Sequence, residues 1–230
     1  MRVSSLPVAG AVCLVAGAAG QLVEYGVTPL NESDDTAAQV ASAAAHLGRM
    51  RAATWLDLLL LLLIPAAAFM VVLAGGLTSR LAMVGAGLVT LSSLGAGYLL
   101  AADVVVLNAA GAGQRNGASL ALADGYLHAG PVEVVVGVYL VGHVVGFVLL
   151  GTAVTRARVL PRWAGGALMT WPVLELVGEA TKVKPLAAAA FALLLFSYAA
   201  AAALLLRGNR APVGDRLVSV DPATVSATAY

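Results

Sequence analysis

The chain has 230 residues, of which 60% are hydrophobic and 11% charged, and its mean hydropathy is +0.92. Soluble domains carry about 25% charged residues, so these figures exclude an ordinary water-soluble domain and point to the lipid bilayer. The net charge of +1 leaves no basic face for nucleic acid, and the single cysteine, Cys13, excludes an intramolecular disulfide and Cys-based zinc or iron–sulfur centres.

Six stretches are long and apolar enough to cross about 30 Å of hydrocarbon as helices. The first runs from Leu6 to Leu30. Arg2, the apolar run and Ala18-Ala19-Gly20 match a signal peptide, but apolar character resumes after Gln21, which favours a retained span. Asn31 to Asp35 then form a polar cap region, and Thr36 to Leu47 a short helix with Val40 and Leu47 on one side. The second span runs from Ala52 to Gly76, where the Leu58–Leu63 run excludes the alternation of a barrel strand. The third runs from Leu81 to Asn108. A second short helix, Ala118 to His128, places Leu120 and Leu127 seven residues apart. Both short helices are expected to lie along the membrane interface. Pro131 to Thr155, Arg162 to Ala180 and Pro185 to Leu206 complete the six spans. The polar, Pro-containing segment from Ala211 to Tyr230 lacks periodicity and reads as a tail.

Lysine and arginine placement sets the orientation. With the N-terminus in the cytoplasm, the inner segments hold eight: Arg2, Arg80, Arg156, Arg158, Arg162, Arg207, Arg210 and Arg216. The outer segments hold five: Arg49, Arg51, Arg115, Lys182 and Lys184. The expectation is a multi-pass cell-membrane protein with both termini cytoplasmic. It is an all-α polytopic bundle of six transmembrane helices over residues 1–207, followed by a tail over 208–230. Small residues four apart, as at Ala16/Gly20, Ser93/Gly97 and Gly142/Gly146, permit close helix packing.

The acids carry the functional signal. Asp215 and Asp221 fall in the tail, and Glu32, Asp34, Asp35 and Asp124 in outer loops. The other six, Glu24, Asp57, Asp103, Glu133, Glu175 and Glu179, lie within or at the ends of spans, all towards the outer end. Each of the first five spans contributes at least one. At 1.5 Å per residue, Glu24, Asp57, Asp103 and Glu175 sit roughly 8 Å inside their expected helix ends, with Glu133 shallower. Gln21, Glu24 and Thr28 share a helix face, as do Trp171, Glu175 and Glu179, and Tyr139, His143 and Gly146. Ionisable groups in spans usually face a bundle interior, so Glu24, Asp57, Asp103, Glu133 and Glu175, with His143, are expected to border one polar pocket with Glu179 at its mouth. The competing reading is structural: acids near helix ends meet headgroups and pair with Arg49, Arg51, Arg115, Lys182 or Lys184. For His143, the only histidine inside a span, the structural reading is a core imidazole bonded to a carbonyl or a tyrosine; the functional ones are proton relay or metal ligation.

No GxSxG, HExxH or P-loop occurs, and no motif names a cofactor. Three functions remain. The first is binding or transport of a small molecule or cation at the carboxylate pocket, by a single chain or a homo-oligomer. The second is a membrane enzyme using a buried carboxylic acid on a lipid or terpenoid. The third is a structural or sensory membrane subunit.

The segment Gly146-Phe-Val-Leu-Leu-Gly-Thr-Ala-Val-Thr-Arg-Ala-Arg-Val-Leu-Pro-Arg-Trp-Ala-Gly165 resembles small multi-span bacterial integral membrane proteins grouped as a domain-of-unknown-function family. The likeness extends to the layout of about six spans over residues 1–207. It implies fold and membrane location, and no activity. The loop is physically sensible in that setting, with Arg156, Arg158 and Arg162 on the cytoplasmic side and Trp163 at the interface.

Overall fold

The computed structural model describes residues 6–29, 35–112 and 117–208. Those residues form eight helices and no strand. They are α1 (Leu6–Val27), α2 (Thr36–Ala45), α3 (Leu47–Ala74), α4 (Arg80–Gly111), α5 (Gly117–Leu127), α6 (Gly130–Ala157), α7 (Arg162–Thr181) and α8 (Lys184–Gly208). Five of them, α1, α3, α4, α6 and α8, are long and apolar enough to cross a membrane. Large apolar side chains such as Leu62, Leu94, Val141 and Phe196 are more than 60% exposed on the outside of the bundle. Such a surface is unfavourable in water and costs nothing against lipid tails. The protein is an integral membrane protein by this measure. α7 falls outside the set of five because Thr170, Pro172, Glu175 and Glu179 dilute its apolar sequence.

The six long helices form a closed ring in the order α1, α3, α4, α6, α7, α8, with α8 returning to α1. Neighbours run antiparallel. Gly10 meets Met70 while Gly20 meets Leu60, and Gly85 meets Leu150 while Gly95 meets Tyr139. Short connections between successive long helices impose this up-and-down order. α4 and α6 approach closely, and a β-carbon on Gly146 would lie 2.9 Å from Val89 N and 3.0 Å from Gly85 O. The small pair Gly142/Gly146 thus allows two backbones to touch. α7 and α8 approach as closely at Gly178, and Ser197 Oγ ties them by donating to Ala164 O at 3.1 Å.

Local signals explain the ends. α1 stops at Val27, short of the expected Leu30, because Pro29 drives Thr28 out of the helical region. α3 starts at Leu47 rather than Ala52: Arg49, Met50 and Arg51 are good helix formers that a hydropathy reading leaves out. Only His46 separates α2 from α3. Asp35 caps α2 by accepting from Ala37 N and Ala38 N, and Ser79 caps α4 by accepting from Ala82 N. Arg158 and Lys182 end α6 and α7 in left-handed conformation, φ 56° and 57°, each placing a cation at the negative helix terminus.

At 32 residues, α4 is roughly 48 Å long and exceeds the hydrocarbon thickness. Its C-terminal end packs with α2, α5 and the start of α3 in a second apolar cluster that includes Val40, Met50, Val106 and Ala123. Thr36 Oγ1 donates to Asp124 Oδ1 at 2.7 Å, and Tyr98 stacks on Tyr126 at 5.1 Å. The two short helices therefore cap one end of the ring. The expected polar region Asn31–Asp34, Arg115 and the tail from residue 209 lie outside the described residues.

Candidate functional site

The ring encloses a cavity of about 240 Å³ on its axis, towards the end capped by α2 and α5. All six long helices line it. α1 supplies Gln21 and Glu24, α3 supplies Asp57, α4 supplies Ser92, Ser93 and Asp103, α6 supplies Tyr139 and His143, α7 supplies Glu175, and α8 supplies Phe191. Five of the six turn polar side chains inward, whereas α8 contributes the ring of Phe191.

Four of the six span carboxylates meet here: Glu24, Asp57, Asp103 and Glu175. They come from four helices. Glu24 lies within electrostatic range of Asp57, Glu175 and Glu179, and Asp57 within range of Asp103. Glu179 is outside the cavity lining; it is exposed one turn past Glu175, beside Tyr25 and facing Lys182. Glu133 stands in the first turn of α6, and its side chain lies outside the described ones. The longer helices also change the depths. Asp103 is eight residues from the end of α4, roughly 12 Å, and Asp57 ten from the start of α3, roughly 15 Å.

Among the described residues, no lysine or arginine lines the cavity. Among the described residues, the four cavity carboxylates make no ion pair with either. Arg49 instead donates from Nε to Val27 O at 2.9 Å and from Nη2 to Gly26 O at 3.4 Å, closing the C-terminus of α1. Thr28 Oγ1 lies 2.9 Å from Glu24 O and also contacts Glu24 Oε1.

His143 sits at the floor, 5% exposed. Its Nε2 is 3.1 Å from Glu175 Oε2, so a carboxylate across the α6–α7 interface, and not a carbonyl or a tyrosine, is its partner. The imidazole is fixed by rings on three sides: Tyr139 at 5.3 Å, Phe147 at 5.1 Å and Trp171 at 4.8 Å. The edge-on contacts with Phe147 and Trp171 are the favoured arrangement for aromatic pairs. Tyr139, His143 and Phe147 recur every fourth residue, which puts them on one face of α6.

Gln21, Ser92, Ser93, Tyr139 and Phe191 also line the cavity and were not among the expected site residues. Gln21 Oε1 is buried without a hydrogen-bond partner among the described residues. Its signal was present three positions before Glu24, on the same helix face. The adjacent serines in the middle of α4 were a weaker signal, because both hydroxyls donate to Val89 O, at 2.8 and 3.0 Å, as they would in any apolar helix. Phe191 gave none, being one apolar residue among many in α8.

The chemistry available is that of an anionic, partly aromatic chamber. Carboxylates that share one cavity repel one another, and a counter-cation or bound protons relieve that repulsion. Among the described residues no three His, Cys, Asp or Glu side chains converge closely enough to hold a metal ion. The chamber therefore offers dispersed negative charge rather than a preformed metal cage. No protein-family model matches the chain, and neither a curated protein nor a solved structure resembles it significantly.

Proposed function

We propose that the protein binds a small organic cation, such as a protonated amine, in the axial cavity. The single observation behind this reading is that four carboxylates from four helices line one cavity that, among the described residues, no lysine or arginine lines. Charge alone would suit a metal ion equally well, but the carboxylates are spread around the walls. Tyr139 and Phe191 add aromatic surface, which favours an organic cation over a compact one. His143 and Glu175 orient one wall through their shared hydrogen bond.

The membrane setting belongs to the same reading. α7 completes six spans, since it is 20 residues long and stands between α6 and α8 in the ring. Arg80, Arg156, Arg158, Arg162 and Arg207 at the end opposite the α2/α5 cap support a reading in which both termini are cytoplasmic and the cap, with the cavity beneath it, is on the outer side. α2 and α5 then lie at the outer interface.

Calorimetric titration of the purified protein in lipid nanodiscs tests the proposal. The probes are ethylammonium, tetramethylammonium and guanidinium, with acetate as the anionic control. At least one cation should bind, and Asp57→Asn or Glu24→Gln should weaken it about tenfold or more, as expected for removing a partly buried charge partner. If no cation binds, or if the neutral variants bind as tightly as the native chain, the reading is wrong. Proteoliposome flux of the same cation separates transport from binding.

A further inference from the structure

A second, smaller crevice of about 150 Å³ opens at the capped end of the ring. Thr28 and Pro29 at the end of α1 line it, with Gln39 and Ala43 of α2, Met50 of α3, and Asp103 and Val106 of α4. Asp103 also lines the axial cavity. The two spaces are thus separated by one carboxylate. Of the seven residues lining the crevice, Asp103 alone is ionisable.

A different crevice lies alongside, on the other side of Thr28 and Pro29. It is lined by His46, Arg49 and Lys184 with Tyr25, Ser42 and Ala188. Its basic groups make it unfavourable for a cation, and it shares no residue with the axial cavity. Of the two openings beside the end of α1, one is basic and separate, and the other is neutral except for a single acid in contact with the chamber.

From this we infer that the crevice between α1, α2 and α4 is the ligand's access route, and that Asp103 is the residue that selects cations there. The inference rests on the cation-binding reading for its ligand, although the route itself is open to measurement without one. A cation passing the crevice meets Asp103 before Glu24, Asp57 or Glu175, and a carboxylate in a narrow, low-dielectric passage raises the local concentration of positive solutes while repelling anions. α2 forms one wall of the passage, which gives the short helix a role in access.

Thiol labelling of the full chain in nanodiscs tests the route. Cys13→Ala removes the native cysteine. Gln39→Cys then probes the crevice, Ser93→Cys the cavity and Ala188→Cys the basic groove. Rates with cationic (trimethylammonium-ethyl) and anionic (sulfonato-ethyl) methanethiosulfonates are normalised to a free thiol. The cationic reagent should react with Ser93→Cys at least about tenfold faster than the anionic one. Asp103→Asn should cut that ratio severalfold, the remainder coming from Glu24, Asp57 and Glu175 in the cavity. A bulky adduct on Gln39→Cys should slow labelling at Ser93→Cys, while one on Ala188→Cys should not. The inference is overturned if Ser93→Cys stays inert to both reagents, if Asp103→Asn leaves the size of its charge preference unchanged, or if the Gln39→Cys adduct leaves its rate unchanged. A route that passes all three tests in a protein that binds none of the organic cations would instead refute the cation-binding reading alone.

Discussion

Replacing Gly146 with alanine should force α4 and α6 apart. The added β-carbon would lie 2.9 Å from Val89 N, 2.9 Å from Val89 Cγ2 and 3.0 Å from Gly85 O. Carbon contacts are comfortable at about 3.5–4.0 Å, so the helices must separate by roughly 0.5–1 Å, and two of the three contacts are backbone atoms that cannot rotate away. A gap of that size removes about a quarter to a half of the dispersion energy of each affected contact. Overpacking of this kind costs about 1–3 kcal/mol. Alanine also favours a helix over glycine by up to about 1 kcal/mol, which hides part of the cost. Gly137→Ala on the same helix supplies the control. Its β-carbon would meet nothing within 4 Å, so it receives the propensity gain without the clash. Gly142→Ala, with nearest contacts at 3.2 Å, should fall between the two. Equilibrium unfolding by SDS titration in mixed micelles measures all three. Gly146→Ala should be less stable than Gly137→Ala by about 1–3 kcal/mol. Equal stability of the two variants would refute the α4–α6 packing.

Three further outcomes follow from individual side chains. Glu175→Gln keeps the length of the side chain and a hydrogen-bonding partner for His143, so unfolding should shift by less than about 1.5 kcal/mol, while calorimetry should show organic-cation affinity falling about tenfold; a large loss of stability with unchanged affinity would make the pair structural. Trp171 is 0% exposed and its Nε1 has no partner among the described residues, so Trp171→Ala should cost about 3–5 kcal/mol in the same unfolding assay. Trp171→Phe retains most of the ring contacts with His143 and Phe191 and should cost clearly less; equal losses would show that the indole nitrogen is bonded after all. Ser79→Ala removes the cap that accepts from Ala82 N and should destabilise by about 1 kcal/mol, whereas Ser79→Asp should restore the native midpoint.

The amino-acid sequence alone determined the class and much of the layout. Apolar runs in the sequence locate all six long helices, five of them apolar enough to cross a membrane, because burial in lipid needs about 20 apolar residues in one run, a local property. Hydropathy is weakest for α7, where Thr170, Pro172, Glu175 and Glu179 lower the average. It misses the start of α3, where Arg49 and Arg51 look like loop residues although helix propensity carries the chain through them. It also suggested two short helices, but not that they would pack together over the end of α4, since Val40, Met50, Val106 and Ala123 come from four separate elements.

Convergence was beyond the sequence for the same reason. Helical phase could put Gln21 with Glu24 and Trp171 with Glu175, because each pair shares one helix. It could not say which way α1 and α7 turn about their axes. That was decided by the closed ring, in which the Gly85/Gly146 contact and the α7–α8 approach at Gly178 fix how the helices are rotated. Rotation brings Glu24, Asp57, Asp103 and Glu175 onto one cavity, joins His143 to Glu175, and turns Arg49 towards the carbonyls of α1 instead of an acid. The sequence determined which residues a bilayer would tolerate only if they faced inward; the tertiary structure alone decided which of them would face one another, because only packing between helices sets their rotation.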